Sequence, residues 1–114
     1  MDEYCSSSRV LVEGPDFEIR LTTSGRMDED VRAVVDFVFK GSRLFARVWK
    51  IGRGYVAGLA GVGEDLPLGV GMSVWGALLA AVKEGEEWLS PTLNRAKELA
   101  LKYYKELEEV DRVE

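Results

Sequence analysis

Apolar and polar residues alternate along Val31–Ile51 in a pattern that predicts a β-hairpin with two different faces. A two-residue turn at Gly41–Ser42 would be of type II′, which favours glycine in its first position. Counting outward from this turn places Asp36 opposite Arg47, a favourable cross-strand pair. One face of the hairpin then carries only apolar residues and is predicted to face the core. Its members are Val35, Phe37, Phe39, Leu44, Ala46 and Val48.

The opposite face of the hairpin, the basic–aromatic face, mixes cationic and aromatic side chains. Such surfaces bind single-stranded nucleic acid, because cations contact its phosphates and its bases stack on rings. Packing this face into the core would bury charges that Asp36 alone cannot pair, so we expect it to be exposed. Two alternatives stay open, a protein interface and ordinary packing beside snorkelling arginines. The face carries Arg32, Val34, Asp36, Lys40, Arg43, Phe45, Arg47 and Trp49.

The segment Val31–Lys40 is ambiguous, because its valines also fit one stripe of a helix. Its four valines and two phenylalanines favour a strand. Every odd position of the segment is also apolar, as a strand with one buried face requires. We therefore predict a strand.

The remaining predicted strands are shorter, and polar or glycine-rich segments separate them. Phe17–Thr22 alternates cleanly between apolar and polar residues, which indicates a half-buried strand. Residues 1–8 are polar and are predicted to be disordered. The other predicted strands are Arg9–Glu13 and Tyr55–Val62, and the predicted loops are Gly14–Asp16, Thr23–Asp30 and Gly63–Gly71.

A second hairpin turn is predicted at Ile51–Tyr55. A three-residue loop would place Tyr55 on the basic–aromatic face, and a different loop length would turn it to the core. Arg53 at the tip would either contact a phosphate or belong to an ordinary loop. The predicted nucleic-acid-binding residues are therefore Arg32, Lys40, Arg43, Phe45, Arg47, Trp49, Arg53 and Tyr55.

Two helices are predicted in the C-terminal part of the chain. Met72–Trp88 is apolar almost all round as far as Val82, so it should be buried on more than one side. Ser90 as N-cap and Pro91 in the first helical position predict the start of the second helix, Ser90–Val110.

Apolar residues of this last helix are spaced three and four apart, which is a heptad seam. Such a seam either packs within the chain or joins chains together. The surplus apolar surface of the preceding helix favours a homo-oligomer, either a dimer or a tetramer. The predicted oligomer interface consists of Leu93, Ala96, Ala100, Tyr103, Leu107 and Val110.

The charge of the chain is uneven. Its 114 residues carry a formal net charge of −5, which argues against a nucleic-acid binder that uses its whole surface. Between Arg32 and Tyr55, however, there are six basic residues and a single acid. A local basic strip is therefore compatible with a nucleic-acid partner.

Residue types that carry most enzyme chemistry are scarce in this chain. It has no histidine and one cysteine, Cys5, which excludes an internal disulfide and most zinc sites and indicates a reduced, cytoplasmic compartment. The acidic groups at Asp28–Asp30 and Glu84–Glu87 look like solvated surface rather than a cation site. We therefore predict no enzyme, no metal and no cofactor. Neither a secretory signal nor a membrane span is predicted, because the N-terminus is polar and the charge-free run Leu66–Val82 is rich in glycine.

The arrangement of these elements resembles that of the ThermoDBP-related proteins, a family of archaeal single-strand binders. The resemblance rests on Arg43–Lys50 and on the Ser90–Val110 helix, and it covers most of the chain. It implies a hydrophobic cleft rimmed by cations, and C-terminal helices that assemble an oligomer. The implied cleft aromatics are Phe45 and Trp49, and the implied rim cations are Arg43 and Arg47.

We therefore expect a single α+β domain over residues 1–114. It has an antiparallel meander of about five strands in 9–62, covered on its core face by two helices in 72–110. The expected function is binding of single-stranded DNA or RNA, without sequence preference, on the basic–aromatic face. The alternative is a homo-oligomeric interaction module whose aromatic face is a protein interface.

Overall fold

The computed structural model describes residues 7–23, 30–61 and 64–113. Within them, six strands form one antiparallel sheet in which every strand pairs with its neighbours along the chain. Helices follow the sheet, so the predicted α+β class is confirmed. The strands are β1 (Ser7–Glu13), β2 (Phe17–Thr23), β3 (Val31–Phe39), β4 (Phe45–Ile51), β5 (Gly54–Gly61) and β6 (Glu64–Gly71). The helices are α1 (Val74–Glu84), α2 (Ser90–Lys102) and α3 (Tyr104–Asp111), with a 3₁₀ turn at Glu87–Leu89 before α2.

The helices cover one face of the sheet and bury its apolar residues in a single core. α1 packs across β5 and β6 and against α2, while α3 approaches β1. Phe37 and Val48, on the predicted core face of the hairpin, are among the most deeply buried side chains. Leu44, predicted on the same face, is only half-buried, because it lies in the β3–β4 connection before β4 begins.

The predicted strand over 31–40 is confirmed as β3, and its register against β4 is the predicted one. Asp36 lies opposite Arg47, and Val35 lies opposite Val48. Arg32 departs from the simple alternation, because the register shifts at this residue and forms a bulge.

The turn of this hairpin differs from the predicted one. The backbone N–H of Ser42 donates to the carbonyl of Phe39 at 3.2 Å, so the tight turn is centred on Lys40–Gly41 rather than on Gly41–Ser42. Gly41 has a φ of 83°, a left-handed conformation that favours glycine. The connection continues to the start of β4, and the strand pairing beyond it is unchanged.

The prediction of a loop at Gly63–Gly71 is wrong, because β6 occupies most of this segment. Its glycines mark close packing rather than a turn. A Cβ atom on Gly69 would lie 2.2 Å from the backbone nitrogen of Ala81, and one on Gly71 would lie 2.5 Å from that of Ala77. α1 therefore lies directly on the backbone of β6, where only glycine fits. This additional strand takes the sheet beyond the predicted strand count.

Both predicted helices are shorter than expected. The first begins after an N-cap at Ser73, whose hydroxyl accepts the backbone N–H of Gly76 at 2.9 Å. Ser90 is the first residue of α2 and not its N-cap, so Pro91, predicted in the first helical position, is in the second. The last helix is interrupted at Tyr103, whose φ of −109° and ψ of 33° leave the helical range. α2 and α3 are therefore separate helices.

The seam predicted as an oligomer interface lies inside the monomer. Its members belong to or pack against the single hydrophobic core, which the sheet and α1 share. The ring centroid of Tyr103, the most exposed member, lies 5.8 Å from that of Phe17 on β2. The intramolecular alternative is therefore correct for these residues, and the interface prediction is wrong. They are Leu93, Ala96, Ala100, Tyr103, Leu107 and Val110.

The first two strands extend slightly beyond their predicted limits. β1 begins at Ser7 and β2 ends at Thr23, both within segments predicted as irregular. The rest of those segments, residues 1–6 and 24–29, lies outside the described residues. The charge-free run Leu66–Val82 forms most of β6 and α1. In the described part of the chain, no helix is long and apolar enough to cross a membrane.

Candidate interaction face

The sheet face away from the helices, the open face, is covered by no helix or strand of the described residues. The buried residues of the helices form one hydrophobic cluster with residues on the opposite face of the sheet, the core face, such as Val35 and Ala57. Side chains of the open face stand in three rows, because directly paired residues of neighbouring strands point to the same side. The apolar row is Thr22, Val34, Trp49, Val56 and Val70; the central row is Arg20, Asp36, Arg47, Gly58 and Pro67; the third row is Glu18, Val38, Phe45, Ala60 and Asp65.

The apolar row crosses the sheet from β2 to β6 without a charge. Trp49 is its largest member and is half-buried between Val34 and Val56, its direct cross-strand neighbours. Val70, at the β6 end, is 70% exposed. Because β6 is an edge strand, this apolar surface reaches the rim of the sheet. A continuous apolar stripe on an uncovered face is typical of a binding surface.

The central row is charged but internally paired. The guanidinium of Arg47 donates to both carboxylate oxygens of Asp36, at 2.7 and 3.1 Å, in a bidentate pair. It also lies 3.4 Å from the carboxylate of Asp65. The hydrogen bond with Asp36 raises the pKa of Arg47 above its usual value, and burial partly opposes that rise. Two carboxylates of the same chain therefore already compensate this cation.

The third row combines an aromatic ring with acidic ends. The guanidinium carbon of Arg47 lies 5.3 Å from the centre of the Phe45 ring, which is within cation–π range. Asp65 on β6 ends the row on one side, and Glu18 on β2 lies towards the other, where Glu13 of β1 pairs with it. Glu18 forms an ion pair with Arg20 of the central row. The Phe45 ring is thus flanked by charges that have partners within the chain.

The strands of the open face do not provide the basic surface that the sequence predicts. They carry four acids against two bases, a net charge of −2. Lys40 and Arg43 are exposed in the β3–β4 connection, at one end of the face. The cations that would follow a nucleic-acid backbone therefore stand at the rim and not along the centre. The acids are Glu13, Glu18, Asp36 and Asp65, and the bases are Arg20 and Arg47.

The structure divides the predicted nucleic-acid-binding residues into three groups. Only the first group, on β4, lies on the open face. The second lies in the exposed β3–β4 connection, and the third lines a cavity beside α3 at the opposite end of the hairpin. The groups are Phe45, Arg47 and Trp49; Lys40 and Arg43; and Arg32, Arg53 and Tyr55.

The prediction that Tyr55 lies on the basic–aromatic face is wrong. Ile51 pairs directly with Gly54, so the β4–β5 turn has two residues, and strand alternation turns Tyr55 to the helix side. Tyr55 is 4% exposed, and its hydroxyl donates a hydrogen bond to the carboxylate of Asp111 on α3. The alternative prediction, in which a different loop length turns Tyr55 to the core, is therefore correct.

Lys50 is the residue that sequence reasoning missed. It is 7% exposed, and its ammonium donates to the carbonyls of Val110, Asp111 and Val113 at 2.9, 3.0 and 2.6 Å. These carbonyls lie at the end of α3, where a helix carries partial negative charge and its last carbonyls lack helical partners. The carbonyl of Val110 also accepts the backbone N–H of Val113 at 3.2 Å. The signal was present in the sequence, since strand alternation puts Lys50 on the same side as Val48.

Tyr55 should make the stability of the fold depend on pH in alkali. Burial, and then the bond to Asp111, raise the pKa of Tyr55 above its ordinary value of 10.0. At a pH between the ordinary pKa of the unfolded chain and the raised pKa of the folded chain, Tyr55 loses its proton only when the chain unfolds. Stability therefore falls as the pH rises past about 10. Urea denaturation at about pH 8 and about pH 11 should show a smaller alkaline loss for Tyr55→Phe than for wild type. Tyr104→Phe, at an exposed site, should match wild type, and an equal loss in all three proteins would contradict this role.

Comparison with protein-family models, with curated proteins and with solved structures found no match to this chain. The resemblance to the ThermoDBP-related proteins therefore stays a prediction. Among the residues that the structure describes, no three Cys, Asp or Glu side chains converge on a position that would hold a metal. The functional argument accordingly depends on the geometry of the open face itself.

Proposed function

We propose that this protein is a self-associating interaction module, in which the open face of the sheet packs against the open face of a second copy. The observation that supports this most is the apolar row through Trp49, which no described part of the chain covers. Helices on one side only leave the other sheet face uncovered, and face-to-face packing of two sheets is a common way to bury such faces.

The open face is large enough for a stable dimer. Its six strands, about 4.8 Å apart, span about 24 Å, and a strand of seven residues is about 23 Å long. The face therefore measures about 550 Å² in projection. This is of the same order as the roughly 800 Å² of accessible surface that each partner buries in a standard interface.

The charges of the open face suit a protein partner better than a nucleic acid. Since Arg47 is paired with Asp36 and Asp65, it can be buried at an interface without leaving an unpaired charge. A polyanion would instead meet no uncompensated cation on the strands of this face, because Arg20 is paired with Glu18, and Arg47 with Asp36 and Asp65. A second copy also requires no separate partner surface, because a two-fold axis brings the same patch against itself.

Single-stranded nucleic acid is the second candidate ligand for this face. Phe45 and Trp49 stand four residues apart on β4, about 13 Å, which would seat two unstacked bases. Lys40 and Arg43, beyond the Phe45 end, would then contact phosphates. Binding of labelled oligo-dT that weakens steeply with salt would support this candidate, because phosphate contacts release counterions.

Trp49→Arg should weaken self-association about thirtyfold or more, because a tryptophan anchor at an interface commonly contributes about 2 kcal/mol or more. Light scattering over a concentration series measures the association constant. Trp88→Arg is the matched control, since Trp88 is 67% exposed outside the open face, and this variant should associate like wild type. Circular dichroism should show both variants folded.

A wild-type protein that stays monomeric at about millimolar concentration would overturn the proposal. Equal loss of association in both variants would also overturn it, since association would then depend on exposed tryptophan in general. Salt-sensitive oligo-dT binding by a monomer, lost in Trp49→Arg, would assign the face to nucleic acid instead.

A further inference from the structure

A separate cavity lies at the end of the sheet where β4 turns into β5, on the helix side and away from the open face. It has a volume of about 710 Å³ and opens between this turn and the end of α3. Small-molecule sites commonly have volumes of about 300–1,000 Å³. Its walls come from three strands and a helix, so only tertiary folding assembles it. The lining includes Arg32, Lys50, Arg53, Met72, Asp111 and Val113.

Cations outnumber acids around this cavity. Among the described residues that line it, Arg32, Lys50 and Arg53 carry three positive charges and Asp111 carries one negative charge. The carboxylate of Asp111 already accepts the hydroxyl of Tyr55, which holds it against the sheet. In a chain with a net charge of −5, a lining with a net charge of +2 is a local positive potential that attracts anions.

Lys50 gives the cavity a positive charge in a fixed position. Its ammonium makes three hydrogen bonds to backbone carbonyls, and none of the ion pairs among the described residues includes it. Carbonyl dipoles replace only part of the hydration that a buried cation loses. An anion in the cavity would supply a countercharge.

We propose that this cavity binds the phosphate group of a small phosphate ester. Arg32 and Arg53 contact the phosphate oxygens, because a guanidinium fork matches their geometry and binds two at once. Lys50 attracts the phosphate through the electric field of its charge and does not donate to it, because its three N–H donors are bonded to carbonyls. Met72, which is 81% exposed, and Val113 provide apolar surface for the organic part of the ester. A phosphate dianion also matches the net charge of the lining.

The test is a ¹H–¹⁵N correlation titration of the full chain with phenyl phosphate, with inorganic phosphate and with potassium chloride at matched ionic strength. Phenyl phosphate should cause saturable shifts at Gly52, Arg53 and Val113. It should bind several-fold more tightly than inorganic phosphate, because its ring adds apolar contact. Shifts that do not saturate, or that chloride reproduces, would overturn the site. Equally tight binding of inorganic phosphate would overturn the ester as the ligand.

The double variant Arg32→Gln/Arg53→Gln should bind phenyl phosphate about tenfold more weakly or worse, as expected for the loss of charge-assisted hydrogen bonds. Both arginines are exposed, so the variant should fold. Arg43→Gln removes an exposed arginine at the other end of the hairpin and should bind like wild type. Equal affinity of the double variant and wild type would overturn the proposal. Light scattering on the same samples measures self-association separately, so the two proposals succeed or fail independently.

Discussion

Replacing Lys50 by methionine should lower the free energy of unfolding by about 2–4 kcal/mol, although the substitution keeps most of the side-chain volume. Methionine cannot donate to the carbonyls of Val110, Asp111 and Val113, which accept the lysine ammonium at 2.6 to 3.0 Å. The carbonyls of Asp111 and Val113 would then lose this donor, and an unsatisfied acceptor costs about 1–3 kcal/mol where water cannot reach it. The carbonyl of Val110 would keep the backbone N–H of Val113. Equilibrium urea denaturation measures the change.

Lys83→Met is the matched control, because Lys83 is exposed in the last turn of α1. This variant should change the free energy of unfolding by less than about 0.5 kcal/mol. Hydrogen exchange adds a local measurement, since the amides of α3 should exchange faster once Lys50 no longer holds the end of the helix. If the two variants proved equally stable, Lys50 would not anchor α3 to the sheet.

Leu107→Glu should unfold much of the protein instead of dissociating an oligomer. Leu107 is 5% exposed on α3 and belongs to the hydrophobic core. The substitution removes a buried apolar side chain, at about 2–5 kcal/mol, and introduces a carboxylate that loses its hydration without gaining a partner. We expect a loss of at least about 4 kcal/mol, a large part of the stability of a domain of this size. Thermal denaturation followed by circular dichroism measures it.

Leu101→Glu makes the same chemical change at a position on α2 that is 62% exposed. It should cost less than about 1 kcal/mol, because no buried contact is lost. The pair of variants therefore separates the two interpretations of the heptad seam. A Leu107→Glu variant that stayed folded but showed a lower mass in light scattering would contradict the burial and restore the seam as a contact between chains.

The β3–β4 hairpin was predictable because the information that specifies it is local. Strand alternation has a period of two, so a register error of one residue would have moved Asp36 and Arg47 to the core face. The pairing of these two residues and the burial of Val48 follow from the sequence alone. The turn was less predictable, because Gly41 suits several turns with a positive φ, and only its surroundings decide which one forms.

β6 and the break at Tyr103 were missed because the residue pattern that was used for prediction does not show them. Glycine is common in loops, yet Gly69 and Gly71 lie in a strand whose backbone α1 contacts directly. α1 begins three residues after Gly71, but the sequence does not show that this helix folds back over the backbone of the strand. The apolar spacing of the last helix runs through Tyr103 unchanged, so periodicity alone predicts one continuous helix.

By itself, the sequence determined the α+β class, the core face of the hairpin, and the position of Phe45 and Trp49 on the opposite face. It did so because hydrophobic periodicity specifies which side chains share a side of a strand. Only the tertiary structure decided which charges have partners. Arg47 is compensated by acids on two other strands, and Lys50 and Tyr55 are engaged by the end of α3. The physical reason is that electrostatic compensation depends on distance in space, and residues remote in the sequence supply it.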